Sequence, residues 1–217
     1  MAWGNKAEAG EEAKGVIDSS GGFGQDGGIV LDDLRETLSG PWQPVSRGAL
    51  VAWTACYALF LLYALRNRDG FLFVDNVNLV VHESGHALFG WFGQTLGLWG
   101  GTIMQLLVPL LLAASFAYKR QTAAAAFCMF VFFENFLYVA TYMADARIQQ
   151  LDLVSLGGGD GPVEHDWYLM FTQLGLLQQD KAIAAVVRTL GFLGMAASVG
   201  WLWLRGAAEK ARAAASQ

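Results

Sequence analysis

Three ionisable side chains, His82, Glu83 and His86, lie within five residues of one another in the apolar stretch 78–93, NLVVHESGHALFGWFG. Residues four apart lie on the same face of an α-helix, so the two imidazoles can reach a single metal ion. Glu83 is offset by about 100° around the helix axis. From there its carboxylate can reach a water on the metal and act as a general base. The spacing therefore predicts a Zn²⁺ site of the H-E-x-x-H kind with His82 and His86 as ligands.

The apolar surroundings favour a metal site over a chance match to the motif. Each ionisable group buried in a membrane span costs on the order of 2.5–3.5 kcal/mol on insertion scales, and a bound metal would offset that cost. The alternatives are a structural cluster held by hydrogen bonds and a former site that has lost its metal. Gly85, inside the same helix, indicates either room beside the metal or close packing of helices.

A catalytic zinc that keeps one open position needs a third protein ligand. We expect this ligand to be Asp166 or His165, which adjoin each other after the glycine-rich segment 157–161. The alternatives are Asp145, at the end of a predicted span, and Glu134, within that span. His165 and Asp166 are also explained as a solvated loop pair, and Asp145 as a surface charge at a helix end.

The predicted span that contains Glu134 carries a row of polar side chains at helical spacing, so one of its faces is predicted to look towards the site. The neighbouring Asn135 is a candidate donor to an oxyanion or to the substrate backbone. Hydrogen bonds between helices, worth about 0.6 kcal/mol each in membranes, would explain the same row without catalysis. The members of the row are Glu134, Tyr138, Thr141 or Tyr142, and Asp145.

The composition of the whole chain is that of a membrane protein. Of its 217 residues, 54% are hydrophobic and only 15% are charged, which is more apolar than a soluble domain. The net charge of −5 offers no basic cluster, so nucleic acid is excluded as a partner and the lipid bilayer is expected instead.

The elements that must position the site are apolar helices. The predicted fold class is all-α, a polytopic membrane helix bundle of about five transmembrane spans plus one short re-entrant or interfacial helix at 167–177. Residues 1–46 are predicted to be a disordered acidic and glycine-rich tail, 47–205 the membrane domain with HESGH, and 206–217 a basic tail. The predicted spans are 48–65, 71–93, 101–118, 122–143 and 182–204.

The basic residues near the predicted span ends are distributed unequally. With five spans, the loops 66–70 and 119–121 share a side with the C-terminus, and these three segments hold most of the lysines and arginines. The positive-inside rule therefore predicts that the C-terminus is cytoplasmic.

The segments HESGHALFG and GGTIMQLLVP together resemble the site-2 protease family of intramembrane metallopeptidases, over about residues 71–118. With ENFLYVATYMADAR and GGGDGPVEHDW, they look like a group of small bacterial membrane proteins near that family. The resemblance implies Zn²⁺ on His82 and His86, with Glu83 activating water to cleave a membrane-protein or transmembrane-peptide substrate. It also implies a bacterial inner membrane.

The chain departs from the family pattern in two places. Site-2 proteases take the third ligand from an L-D-G motif, and no L-D-G occurs in this sequence. Gln105 stands where the family pattern would place an asparagine. These departures keep open an alternative function, that of a non-catalytic metal-binding membrane scaffold or a degenerate protease that binds membrane-protein clients.

Two further classes of membrane protein fit the sequence poorly. A di-iron hydroxylase or desaturase needs many histidines, and this chain has three. A transporter is usually built from inverted repeats, and the sequence shows no internal repeat.

Overall fold

The computed structural model describes residues 39–67, 70–153 and 164–215. Within these ranges the chain forms α-helices, two one-turn 3-10 helices at Gly90–Phe92 and Leu177–Gln179, and no strand. The prediction of an all-helical fold is therefore confirmed. The α-helices are α1 (Arg47–Arg66), α2 (Asp75–Phe89), α3 (Gln94–Tyr118), α4 (Thr122–Asp145), α5 (Asp166–Leu174) and α6 (Asp180–Ala215).

Four helical segments are long and apolar enough to cross a membrane: α1, α3, α4, and Leu177–Ala208, which contains most of α6. One of the five predicted spans, 71–93, is wrong: this segment does not form a helix long enough to cross a membrane. Helix α2 has 15 residues and is about 22 Å long, which is shorter than the roughly 30 Å of a bilayer's hydrocarbon core. Its polar residues shorten the apolar stretch, and Gly93, with φ 116°, reverses the chain into α3.

Helix α1 begins at the end of the bundle where α6 finishes, since a Cβ placed on Gly206 would lie 2.9 Å from Leu50. The loop 119–121 is at this end too, because the N–H of Gln43 donates to the carbonyl of Arg120 at 2.8 Å. The end of α1 at Arg66 therefore lies at the opposite end, as does Gly70, where an added Cβ would lie 2.8 Å from Thr141 near the end of α4. The prediction that the loops 66–70 and 119–121 share a side of the membrane is therefore wrong. That prediction counted α2 as a span.

The end of the bundle where α1 begins is called the basic end below. It contains the start of α1, the loop between α3 and α4, and the part of α6 near residue 205. The opposite end contains Arg66 and Gly70, the end of α4 and helix α5. The basic side chains that define the basic end are Arg47, Lys119, Arg120 and Arg205.

Helix α4 lies at the centre of the bundle. Half of the residues in its apolar 18-residue stretch are buried, compared with 17% of those in the corresponding stretch of α1. The short helix α5 docks against α4 and α6 by one face, formed by Trp167, Met170 and Phe171. These residues follow the i, i+3, i+4 pattern of an amphipathic helix, and Met170 has no exposed surface. This docking determines where the first residue of α5, Asp166, is placed.

Parts of both predicted tails belong to the helical bundle. Helix α6 continues without a break to Ala215, so the predicted basic tail at 206–217 begins as part of a helix. At the other terminus, Trp42 is only 8% exposed, so the end of the predicted disordered tail packs on the bundle. Residues 1–38, and 154–163 of the predicted loop, lie outside the described residues.

Candidate metal centre

Three potential metal ligands from two helices converge on one point. His82 Nε2 and His86 Nε2, on one face of α2, are 3.0 Å apart, and each is 3.0 Å from Asp166 Oδ2 at the start of α5. Ligand atoms around a tetrahedral zinc lie about 3.3 Å apart, so a small opening of this triangle would accept the ion. No other group of three His, Cys, Asp or Glu donors comes this close together in the described part of the chain.

Both histidines direct Nδ1 at a hydrogen-bond acceptor on α3. His82 Nδ1 lies 2.6 Å from Gln105 Oε1, and His86 Nδ1 lies 2.8 Å from the carbonyl oxygen of Gly97. An acceptor at Nδ1 keeps the proton on that nitrogen and leaves the lone pair of Nε2 for a metal, as is usual around metal-binding histidines. Both imidazoles are therefore held in the tautomer that binds metal through Nε2.

Asp166 is oriented by Tyr142 on α4. The backbone N–H of Asp166 donates to the Tyr142 hydroxyl at 3.1 Å, and this hydroxyl lies 3.5 Å from Asp166 Oδ2. Burial alone would raise the pKa of Asp166, but the adjacent imidazoles of His82 and His86, when one of them carries a second proton, outweigh it and hold the pKa below its ordinary value. The N-terminus of α5 also favours negative charge. Asp166 is thus the anionic member of the triangle.

The three atoms of the triangle, His82 Nε2, His86 Nε2 and Asp166 Oδ2, need a positive charge between them. With the Nδ1 protons directed at Gln105 and Gly97, both Nε2 atoms and Asp166 Oδ2 offer only lone pairs, which repel in a buried site. A proton on one imidazole or a divalent cation would supply the charge. Two histidines and one carboxylate with an open fourth position form the donor set of many catalytic zinc sites. These residues therefore fit Zn²⁺.

Two glycines of α3 have separate roles beside α2. A Cβ on Gly101 would collide with His82 Nε2 and lie 2.6 Å from His86 Nε2, so Gly101 provides the space at the triangle. A Cβ on Gly85 would instead collide with the carbonyl oxygen of Gly100. Of the two explanations for Gly85, the structure supports close packing of α2 on α3.

Glu83 lies half-buried on α2, on the turn that carries both histidines. Its carboxylate makes no hydrogen bond or ion pair with any residue that the structure describes. It is close enough to interact electrostatically with His86 and with the hydroxyls of Tyr138 and Tyr142. Glu83 is therefore a carboxylate near the ligands but not among them, an arrangement in which a side chain can serve as a general base.

The other two predicted ligands, His165 and Asp145, lie outside the triangle. His165 caps α5, since its Nδ1 accepts the N–H of Tyr168 at 3.2 Å. Its Nε2 is 3.4 Å from Asp145 Oδ2, without hydrogen-bond geometry. Burial lowers the pKa of His165 despite this carboxylate. Asp145 itself accepts the N–H groups of Gln150 and Leu151, so both predicted ligands shape the chain that leads into α5.

Glu134 is bound to α2 one turn before His82. Asn78 Nδ2 donates to Glu134 Oε2 and to Asp75 Oδ1, at 3.0 Å each. Asp75 and Glu134 are 0% and 1% exposed. The structure therefore uses Glu134, the least favoured of the predicted third ligands, to join α4 to α2.

Asn135 is buried in α4, and its Nδ2 donates to the carbonyl of Val131 in the same helix at 3.0 Å. Its Oδ1 has no partner among the described residues. No described hydrogen bond links it to the triangle. Tyr138 and Tyr142 are the members of the polar row that reach the site, with ring centres 6.3 and 5.9 Å from that of His82.

Three residues at the site, Gly97, Gly101 and Gln105, had no predicted role there, and Tyr142 was predicted only as a possible member of the polar row. A signal existed for two of them, because Gly101 and Gln105 are four residues apart and therefore share one face of α3. The contribution of Gly97 is a backbone carbonyl, which leaves no signature in a sequence.

Comparison with known proteins adds no relative. No protein-family model matches the chain, and neither a curated protein nor a solved structure shows significant similarity to it. The resemblance to site-2 proteases therefore rests on the motif residues alone, and similarity of fold contributes nothing to it.

Proposed function

We propose that this protein is an intramembrane endopeptidase that holds Zn²⁺ with His82, His86 and Asp166 and cleaves membrane-protein or transmembrane-peptide substrates. The observation that carries the proposal is the 3.0 Å convergence of the three ligand atoms, with the Glu83 carboxylate beside them. Hydrolytic zinc sites combine such a donor set with a non-ligating carboxylate.

Each residue of the site has a definite role in this proposal. When bound, zinc lowers the pKa of a coordinated water and polarises the scissile carbonyl. Glu83 takes the proton of the attacking water and returns it to the leaving amine. Tyr138, rather than the predicted Asn135, offers a hydroxyl near the ligands as a donor to the developing oxyanion, because the Asn135 amide binds its own helix.

The test is the variant Glu83→Gln in the purified full-length chain, in detergent. The wild type is expected to contain zinc, measured by elemental analysis. It is also expected to cleave β-casein or synthetic transmembrane peptides, with the products detected by mass spectrometry. Glu83→Gln is expected to keep the zinc and to lose about 10²–10⁴-fold in turnover, the usual contribution of a general base.

The matched control is Ser84→Ala, because the Ser84 side chain is exposed and binds only the Val80 carbonyl of its own helix. This variant is expected to cleave like the wild type. Cleavage that survives in Glu83→Gln, or a wild type without stoichiometric metal, would contradict the proposed function.

A non-catalytic metal-binding scaffold is the second candidate, and the burial of the triangle favours it. The exposed fractions of the side chains of His82, His86 and Asp166 are 3%, 26% and 13%, which leaves little of the triangle accessible to a substrate. In that case the wild type would bind zinc and cleave nothing, and Glu83→Gln would leave client binding unchanged.

We infer that the protein lies in a bacterial inner membrane with the basic end in the cytoplasm, according to the positive-inside rule. At the opposite end, Arg147 is ion-paired with Asp180 at 2.7 Å, which weakens its influence on orientation. Both the start of α1 and the C-terminus would then be cytoplasmic. The metal triangle, level with the last two turns of α4, would lie towards the outer face.

A further inference from the structure

A second candidate site lies near the basic end, away from the metal centre. It is an apolar cavity of about 410 Å³ between α3, α4 and α6. The hydroxyl of Ser198 in its wall donates to the Gly194 carbonyl of the same helix at 2.9 Å and so offers no proton to a ligand. The cavity therefore suits hydrocarbon. The wall includes Leu110, Ala113, Ala117, Met129, Phe133 and Trp201.

Two arginines gather at one end of this cavity. The guanidinium carbons of Arg120 and Arg205 lie 5.0 and 5.2 Å from the ring centre of Trp42. Arg205 is also 5.9 Å from the ring of Trp201, which lines the cavity. The indole rings stabilise both cations through cation–π interactions. Two positive charges on one ring are complementary to an anionic group.

The shape and lining of the cavity suit an extended hydrocarbon chain. Between Ala117 and Leu110 its wall follows α3 for about 10 Å. Small side chains on all three helices, including Ala117, Ala125 and Ala197, leave the space between them.

We propose that this cavity binds an acyl chain of an anionic phospholipid from the bilayer, with the lipid phosphate against Arg120 and Arg205. Ala117 lies three residues before Arg120, and Trp201 lies four residues before Arg205. The apolar wall therefore leads directly to the two guanidinium groups, as a chain leads to its headgroup. The proposal is independent of peptidase activity.

The test measures lipid binding to the full-length chain in detergent by native mass spectrometry. The probes are phosphatidylglycerol and phosphatidylcholine. The wild type is expected to bind phosphatidylglycerol more tightly than phosphatidylcholine. Arg205→Gln is expected to weaken phosphatidylglycerol binding about fivefold, the effect of one basic residue at a membrane surface. It should leave phosphatidylcholine binding unchanged. Ala117→Leu, which fills the cavity, is expected to abolish binding of both lipids.

Two variants serve as matched controls and should bind both lipids like the wild type. Arg66→Gln removes a positive charge at the opposite end, and Ala185→Leu enlarges an exposed alanine of α6 outside the cavity. Because Arg205→Gln leaves the apolar wall intact, it gives a result even if Ala117→Leu fails to fold. Equal affinity for the two lipids, unchanged binding in Arg205→Gln, or a dimer that Ala117→Leu dissociates would overturn the proposal.

Discussion

The state of the metal triangle is decided by residues that would not touch the ion. Gln105 and the Gly97 carbonyl hold the Nδ1 protons of the two histidines, and Gly101 leaves space beside their Nε2 atoms. Because these α3 residues touch the ligands on α2, a small change on α3 would act directly on the ligands. Metal affinity should therefore depend on α3 as strongly as on the H-E-x-x-H motif.

Gly101→Ala tests this dependence at a single carbon atom. The added Cβ would collide with His82 Nε2, so we expect loss of stoichiometric zinc while the helical circular dichroism is retained. Gly200→Ala is the matched control, because Gly200 lies in α6 with open space around its Cβ position. This control should be neutral or about 1 kcal/mol more stable. Normal zinc content in Gly101→Ala would show that the metal does not lie between these imidazoles.

At the scale of elements, a buried amide holds the short helix α2 in place. Helix α2 does not span the membrane, yet its Asp75 is fully buried and meets Glu134 of α4 through Asn78. Asp75 Oδ2 also accepts the N–H of Leu72 at 2.6 Å, which fixes the start of the helix. The placement of the histidines therefore depends on one donor between two carboxyl groups.

Asn78→Asp and Glu134→Gln test this link with two replacements of equal shape. Asn78→Asp replaces the donor by a third acid, and we expect a loss of about 3 kcal/mol in the free energy of unfolding, with reduced zinc content. Glu134→Gln removes a buried acid and can still accept from Asn78, so it should fold and bind zinc normally. The measurement is denaturant unfolding in detergent. Equal stability of the two variants would contradict this role.

At the scale of the whole molecule, the non-spanning α2 determines which end each loop occupies. With four spans, the start of α1, the loop 119–121 and the end of α6 lie together, and the triangle lies towards the other end. The basic end still holds more lysines and arginines than the opposite end, although Arg66 now lies at the opposite end. The basic residues at the basic end are Arg47, Lys119, Arg120, Arg205, Lys210 and Arg212. In the proposed orientation, with the basic end in the cytoplasm, the triangle would lie towards the outer face.

Cysteine accessibility in intact cells tests this orientation. In a Cys56→Ala, Cys128→Ala background, a membrane-impermeant maleimide should label Gln150→Cys in intact cells, and Gln121→Cys only after the membrane is opened. The physical reason is the excess of positive charge at the end that contains residue 121. A C-terminal green fluorescent protein fusion should fluoresce. The reverse labelling pattern would place the metal triangle towards the cytoplasm.

The sequence by itself determined the features that depend on local periodicity. Helical spacing is enough to place His82 and His86 on one face of a helix with Glu83 beside them, and long apolar runs are enough to predict α1, α3, α4 and α6. The short helix α5 was also predictable, because its apolar stretch is too short to span.

Only the tertiary structure decided which features of distant segments come together. Asp166 is 80 residues from His86, and its selection over His165 depends on how Trp167, Met170 and Phe171 dock α5 against α4 and α6. The length of α2, and with it the end occupied by each loop, depends on where Asp75 starts the helix by accepting the N–H of Leu72 and where Gly93 turns the chain into α3. Contacts between distant segments are set by packing in three dimensions, and the order of residue types along the chain does not encode them locally.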